Sequence, residues 1–265
     1  MSRLSDKKLF IFDMDGTIYL GDKVFDDAVS LIKRLRKSGR RVLFFTNNAS
    51  HSPEFYLEKL KRLGFEPQEN EIMTSGDVTL EFLKKHRAAS KVYLVGTPDL
   101  EQSFLSHGIT LTDGLSGDIV ITSFDTTLTY EKLSRACRLI MNGAEYLSTH
   151  PDFNCPTENG FIPDSGAISA FVTASTGVTP RYFGKPYPET MEMICSFTGI
   201  DKSEAAVVGD RLYTDIAIGK NSGVTAILVL TGETSLDDLN GLDETAMPDI
   251  VLGDTAELAN EIFGK

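Results

Sequence analysis

Tryptophan is absent from the 265 residues and cysteine occurs only three times. Cys137, Cys155 and Cys195 are odd in number and widely spaced, which argues against a disulfide framework and against a CxxC zinc site. No apolar run approaches the ~20 residues of a membrane helix, so no membrane partner is expected. The opening "MSRLSDKK" leads straight into a strand signal without the apolar core of a secretory leader, and a cytoplasmic location is expected. Basic residues are outnumbered, 26 Lys and Arg against 38 Asp and Glu, for a net charge of −12. That balance argues against a nucleic acid polymer as partner, because such binding is driven by Lys and Arg displacing counterions from phosphates. An anionic small molecule would need positive charge concentrated at one spot, from a metal ion, a lysine or helix N-termini.

What is present is a regular alternation of strand and helix signals. Continuous apolar stretches such as "LFIFD", "RVLFFTNN", "KVYLVG", "DIVITSFD", "EYLSTH", "AAVVGD", "VTAILVL" and "DIVLG" read as buried strands. Between them lie amphipathic patterns. In "DDAVSLIKRLRKSG" the residues Ala28, Leu31, Ile32 and Leu35 share one face and Gly39 is a stop. "SPEFYLEKLKRLG" places Ser52 as N-cap, Pro53 at the first helical position and Gly64 at the end. Apolar strands alternating with such helices predict an α/β fold with a parallel sheet covered on both faces.

In open sheets of this kind ligands sit beyond the carboxyl ends of the strands. Asp13, Thr46, Lys185 and Asp210 each fall at or just past a predicted strand end, and all come from the two terminal thirds of the chain. The architecture expected is a doubly wound, Rossmann-like core built from residues 1–75 and 181–265, with a smaller α/β domain over 76–180 inserted between them.

Four short motifs carry the chemistry. In "FDMDGT" a buried strand runs into two carboxylates, Asp13 and Asp15. Turn chemistry accounts for "DG" taken alone. A calcium loop of the EF-hand type fails on count, because its sixth position would be Ile18 and its twelfth Val24. The third reading is phosphoryl transfer, with one carboxylate attacking phosphorus and its neighbour moving protons, their repulsion relieved by a divalent cation. "FFTNN" ends a second strand with Thr46 and Asn47, whose hydroxyl and backbone N–H can bond phosphate oxygens, although both residue types are also ordinary at strand ends. In "FGKPYP" Pro186 keeps Lys185 out of a helix, and the lysine is either solvated or an ammonium bridging phosphate and nucleophile. "VVGDRLYTD" repeats the opening logic, with Asp210 after a strand and Asp215 in the first turn of a helix, where a capping role would also suit it. Hard oxygen donors of this kind suit magnesium.

In this order the motifs resemble the haloacid dehalogenase-like (HAD) superfamily, whose pattern reads DxDG[TV], a Ser or Thr after the second core strand, Lys, then GD with a further Asp. "DMDGTIYLG", "TNN" and the long insertion resemble its NagD-like, para-nitrophenyl phosphatase-like (type IIA) subfamily along essentially the whole chain. The resemblance implies Asp13 as nucleophile forming an aspartyl-phosphate and Asp15 as the acid and base that protonates the leaving oxygen and then activates water. It implies Thr46, Asn47 and Lys185 around the phosphoryl oxygens. Mg2+ would be held by Asp13, the Asp15 carbonyl and Asp210, with Asp215 behind them. The insertion would be a cap that closes over the site, and His150, Asp152 and Asn154 in "THPDFN" are its specificity candidates, equally compatible with a solvated loop.

The expected function is thus Mg2+-dependent hydrolysis of a small phosphorylated metabolite. A phosphotransferase using the same intermediate and a non-catalytic sensor of phosphate esters are the alternatives. Sugar phosphates, nucleoside monophosphates, pyridoxal phosphate and phosphoglycolate all stay open as substrates, as does a homo-oligomer.

Overall fold

The row Leu9, Phe10, Ile11, Phe12 forms a strand because apolar residues on both faces can be buried only inside a layered sheet. In the computed structural model, which describes residues 4–157 and 160–264, all four are enclosed. Helices cover both faces. Phe10 and Phe12 pack with Leu31, Ile32 and Leu35 of the helix Ala28–Lys37 and with Leu258 and Ile262 of the helix Thr255–Phe263. On the opposite face Ile11, Phe45 and Val207 share a pocket with Met191 and Ile194 of the helix Pro188–Thr198 and with Ile218. Burying each such side chain contributes roughly 2 kcal/mol.

The described residues form two compact units. The first comprises residues 1–46, 53–73 and 185–265. Its six-stranded sheet has the order Ile250–Leu252, Thr225–Val229, Ala205–Gly209, Leu9–Phe12, Arg41–Thr46, Ile72–Thr74. The chain winds outward from Leu9–Phe12 in one direction through Arg41–Thr46 and in the other through Ala205–Gly209. The reversal point therefore lies between Leu9–Phe12 and Ala205–Gly209, which run parallel with Phe12 opposite Val208.

The second unit comprises residues 47–52 and 74–184. Its own parallel sheet has the order Arg181–Tyr182, Glu145–Ser148, Ile119–Thr122, Lys91–Val95, Thr110–Leu111. Tyr93, Val95, Val120 and Tyr146 form its core with Leu133, Ala136 and Ile140 of the helix Tyr130–Met141 and with Ile168 and Val172 of Ser165–Thr176. Its helices begin on side-chain caps: Thr74, Thr97, Thr129 and Asp164 each accept a hydrogen bond from a first-turn N–H.

The division differs in detail from the one expected. The segment 47–52, assigned to the core from sequence, groups with the second unit, and the remaining boundaries fall at 73/74 and 184/185 instead of 75/76 and 180/181. The stretch after His150, for which a solvated loop is one of the two expectations, carries an antiparallel hairpin, with Asn154–Thr157 paired to Gly160–Pro163. The helix expected to carry Asp215 in its first turn begins as a wider, π-helical turn over Leu212–Ile216 before becoming regular at Ala217–Ser222. Among the described residues no helix is long and apolar enough to cross a membrane.

Candidate active site

Strand periodicity places Asp13. Leu9 and Ile11 point to one face of the sheet, and Asp13 continues that row one step past the strand, lining the same pocket as Ile11, Phe45 and Val207. Its N–H donates to Val208 O (2.9 Å), which keeps it in register with the neighbouring strand. That strand ends at Gly209, so Asp210 emerges at the same level, and the Leu212–Ile216 turn carries Asp215 back toward it. Carboxylate oxygens of Asp13, Asp210 and Asp215 lie within 4.8 Å of one another.

Lys185 supplies the counter-charge. Its ammonium donates to Asp13 Oδ1 and lies 2.7 Å from Asp215 Oδ1, and the side chain is almost wholly buried. Burial pulls this ammonium down, but Asp13 and Asp215 outweigh burial and the net shift is upward. Asp13 shows the reverse strain. Burial raises its carboxyl, Lys185 opposes, the charges of Asp215 and Asp210 add to the rise, and the result is about 7. Asp210 is raised as well, first by burial and then by Asp215. Asp210 is nevertheless held firmly, accepting from Thr17 Oγ1 at Oδ1 (3.0 Å) and from the Glu233 N–H at Oδ2 (2.8 Å).

A cation fits this charge pattern. Three enclosed or partly enclosed carboxylates face one ammonium, and the charges of Asp215 and Asp210 add to the rise that burial gives the Asp13 carboxyl. The donors are hard oxygens, the set that magnesium takes. The backbone is also pared away around Asp210. A Cβ on Gly16, whose φ is +92°, would stand 2.5 Å from Asp210 Oδ2, and one on Gly232 would collide with the same oxygen. The cluster contains Asp215 and not the Asp15 carboxylate, which is half-exposed and pairs with Lys59 instead. Thr46, half-buried, is the last residue of the strand Arg41–Thr46 beside Leu9–Phe12.

A family model described as haloacid dehalogenase-like hydrolase matches residues 10–110, and one described as HAD-hydrolase-like matches residues 182–258. An acid sugar phosphatase of Staphylococcus aureus is 37% identical over 232 residues, 88% of this chain and 90% of that protein. The chain belongs to the haloacid dehalogenase-like hydrolases. Among solved structures of that family, a 4-nitrophenylphosphatase from Thermotoga maritima superposes with a TM-score of 0.91 at 41% identity, covering 97% of this chain and 98% of that one. A p-nitrophenyl phosphatase from Archaeoglobus fulgidus gives 0.90 at 30% identity, covering 97% of this chain and all of the other. These neighbours put the chain in the NagD-like, para-nitrophenyl phosphatase-like branch of the HAD-like family.

The remaining sequence candidates of this HAD-like chain lie in the second unit. His150, expected as a specificity contact, is fully enclosed. Its Nε2 lies 2.8 Å from Asp164 Oδ1, and its Nδ1 lies 2.9 Å from Thr149 Oγ1 and 3.3 Å from Ser75 Oγ. With both ring nitrogens engaged, it serves the interior of its own unit. Asp152 is half-buried and accepts from Asn47 Nδ2 at 3.1 Å, while Asn47 O accepts from Ser75 Oγ at 2.5 Å. Asn154 is exposed at the start of the hairpin.

Several participants carried no signal of their own in the sequence. Thr17 stood inside "DMDGT" with no role assigned. Thr231, which donates to Gly16 O (2.7 Å), and Glu233, whose backbone holds Asp210, sit in an unremarked "LTGETS" loop. Lys59 reads as one lysine among several on an amphipathic helix. Only the close approach of these segments reveals them.

Proposed function

We propose that this chain is a Mg2+-dependent phosphatase that hydrolyses small phosphomonoesters through an aspartyl-phosphate at Asp13. The observation that carries the reading is the Lys185 ammonium lodged between Asp13 and Asp215, with Asp210 beside them at the reversal point of the sheet. An Asp13 carboxylate oxygen attacks phosphorus, the P–O bond to the leaving alkoxide breaks in line, and Asp15 gives that oxygen a proton. Asp15 then takes a proton from water, whose oxygen attacks the aspartyl-phosphate and returns Asp13 to its carboxylate. Lys185, the Thr46 hydroxyl and the backbone amide that follows Thr46 hold the phosphoryl oxygens, positioning that this class of reaction depends on most.

Asp13, the Asp15 carbonyl and Asp210 would hold Mg2+, with Asp215 supporting them. When bound, the ion neutralises charge on the phosphoryl group. Among substrates, sugar phosphates are favoured, because the Staphylococcus aureus relative bears the name acid sugar phosphatase.

The deciding experiment is phosphate release from a panel of sugar phosphates and other metabolite esters, ranked by kcat/KM, with and without EDTA. Asp13→Asn should give no release and a normal circular dichroism spectrum. Appreciable hydrolysis by that variant would remove Asp13 as nucleophile, and indifference to EDTA would remove the metal.

A further inference from the structure

The Asp15 carboxylate is about half-exposed, a poor state for a group that must meet one oxygen in one geometry. Among the described residues, the one cation within ion-pair distance of it is Lys59, whose Nζ lies 3.7 Å from Asp15 Oδ2. Lys59 is itself constrained. Only 19% of its side chain is exposed, and its ammonium stands 4.2 Å from the centre of the Tyr19 ring. Tyr19 is fully buried and bound to the same turn, its carbonyl accepting from Gly16 N at 2.7 Å. A cation over an aromatic face is held by the ring's quadrupole, so the ring fixes the ammonium and the ammonium in turn restrains the carboxylate.

Fold stability gives this arrangement little reason to exist, because an ion pair with one half-exposed member contributes almost nothing. Catalysis gives it one. A general acid works only within hydrogen-bond reach of the oxygen it protonates, and small misplacement lowers rates on the order of 10²-fold.

We propose that Lys59, seated on Tyr19, is the positioning residue for Asp15, tethering its carboxyl toward the departing oxygen. This rests on the phosphatase reading above and adds a residue to it.

The test compares two esters. Glycerol 3-phosphate releases an alkoxide that needs a proton, and 4-nitrophenyl phosphate releases a phenolate stable without one. Because kcat/KM covers only the steps through departure of the leaving group, it isolates the acid role from the later hydrolysis. Lys59→Met should lower kcat/KM on glycerol 3-phosphate about tenfold or more while changing the aryl ester by less than about threefold. Asp15→Asn should show the same preference more strongly. Lys59→Arg, which keeps the charge over the ring, should recover most of the lost rate, and Lys59→Gln should not. Equal losses on both esters, a change confined to KM, or no change at all would overturn the tether. Absence of phosphate release from both esters by the unaltered protein would overturn the phosphatase reading and the tether with it.

Discussion

Lys185 and Asp215 form a buried ion pair, 2.7 Å from Nζ to Oδ1, and the same ammonium reaches Asp13 across 172 residues of sequence. One cation thus restrains two carboxylates that would otherwise repel each other. Lys185→Met removes that restraint together with the proposed donor to the phosphoryl oxygens. We expect kcat to fall by about 10²–10³-fold in steady-state phosphate release. Metal-free Lys185→Met should also lose about 3 kcal/mol in urea denaturation at neutral pH, because the buried Asp215 side chain keeps no ammonium beside it. Asp215→Asn should cost less, since its amide oxygen still accepts from the lysine.

The crowding has a pH signature in metal-free protein. Asp13 holds its proton up to about pH 7 in the folded chain, driven by burial, with Lys185 opposing and the Asp215 and Asp210 charges adding, against an ordinary value of 3.8 when unfolded. Between those values the folded state binds more protons than the unfolded one, so this group's contribution is full below 3.8 and is lost as pH rises to about 7. The thermal midpoint in EDTA should accordingly fall across that window. Asp13→Asn, which carries no charge at any pH, should flatten the slope. An unchanged profile in the variant would show that Asp13 is not the group responsible.

Magnesium should reverse the deficit. At a concentration 100 times its dissociation constant, a ligand bound only by the folded state contributes about 2.7 kcal/mol. For a chain of this length that corresponds to a rise in Tm of roughly 5–10 °C. Asp210→Asn should abolish most of the rise while leaving the metal-free Tm close to that of the unaltered protein or above it, because it removes one crowded carboxyl. Differential scanning calorimetry with and without Mg2+ reads both effects.

How much of this was legible beforehand follows from the length of each signal. Leu9–Phe12, Arg41–Thr46 and Ala205–Gly209 are continuous apolar runs, and a run ending in Asp or Thr announces a polar site at a strand's carboxyl end. The two-residue strands Thr110–Leu111 and Arg181–Tyr182 contain too few positions for a period to show, and prolines interrupt the short strands of the Asn154–Pro163 hairpin. The Asp215 turn has the sequence of ordinary helix, because the extra residue of a π-helical turn leaves no compositional mark. Lys59 and Thr231 were invisible for a different reason: what they do depends on which distant segment lies opposite, and a single sequence does not encode that pairing locally.

Away from the site, Glu71 tests the energetics of the first unit. Arg36 grips it with two parallel bonds, Nε to Oε1 at 2.9 Å and Nη2 to Oε2 at 2.6 Å, while Nη1 donates to Phe65 O at 2.8 Å. Glu71 also accepts from the Gln68 N–H at 2.9 Å. Glu71→Ala strands a mostly buried guanidinium and should cost about 3 kcal/mol in urea denaturation, with kcat unchanged. The double variant Arg36→Met, Glu71→Leu should recover much of that loss, because it removes both charges from the interior.

His150 and Asp164 form a buried pair within the second unit. Burial disfavours the imidazolium, but the Asp164 carboxylate 2.8 Å from Nε2, and then Asp152, outweigh it, so the folded His150 titrates above its ordinary value of 6.5. A raised value means that the folded state holds the proton more tightly than the unfolded state. The stabilisation is therefore complete below pH 6.5 and is lost as pH climbs through the folded value. His150→Gln should cost about 2 kcal/mol at pH 5.5, the scale of a buried hydrogen bond to a charged group, and progressively less on the alkaline side. Urea denaturation of both proteins at several pH values measures the difference directly. A gap that widened with rising pH would mean that His150 is buried neutral and that Asp164 accepts an uncharged N–H.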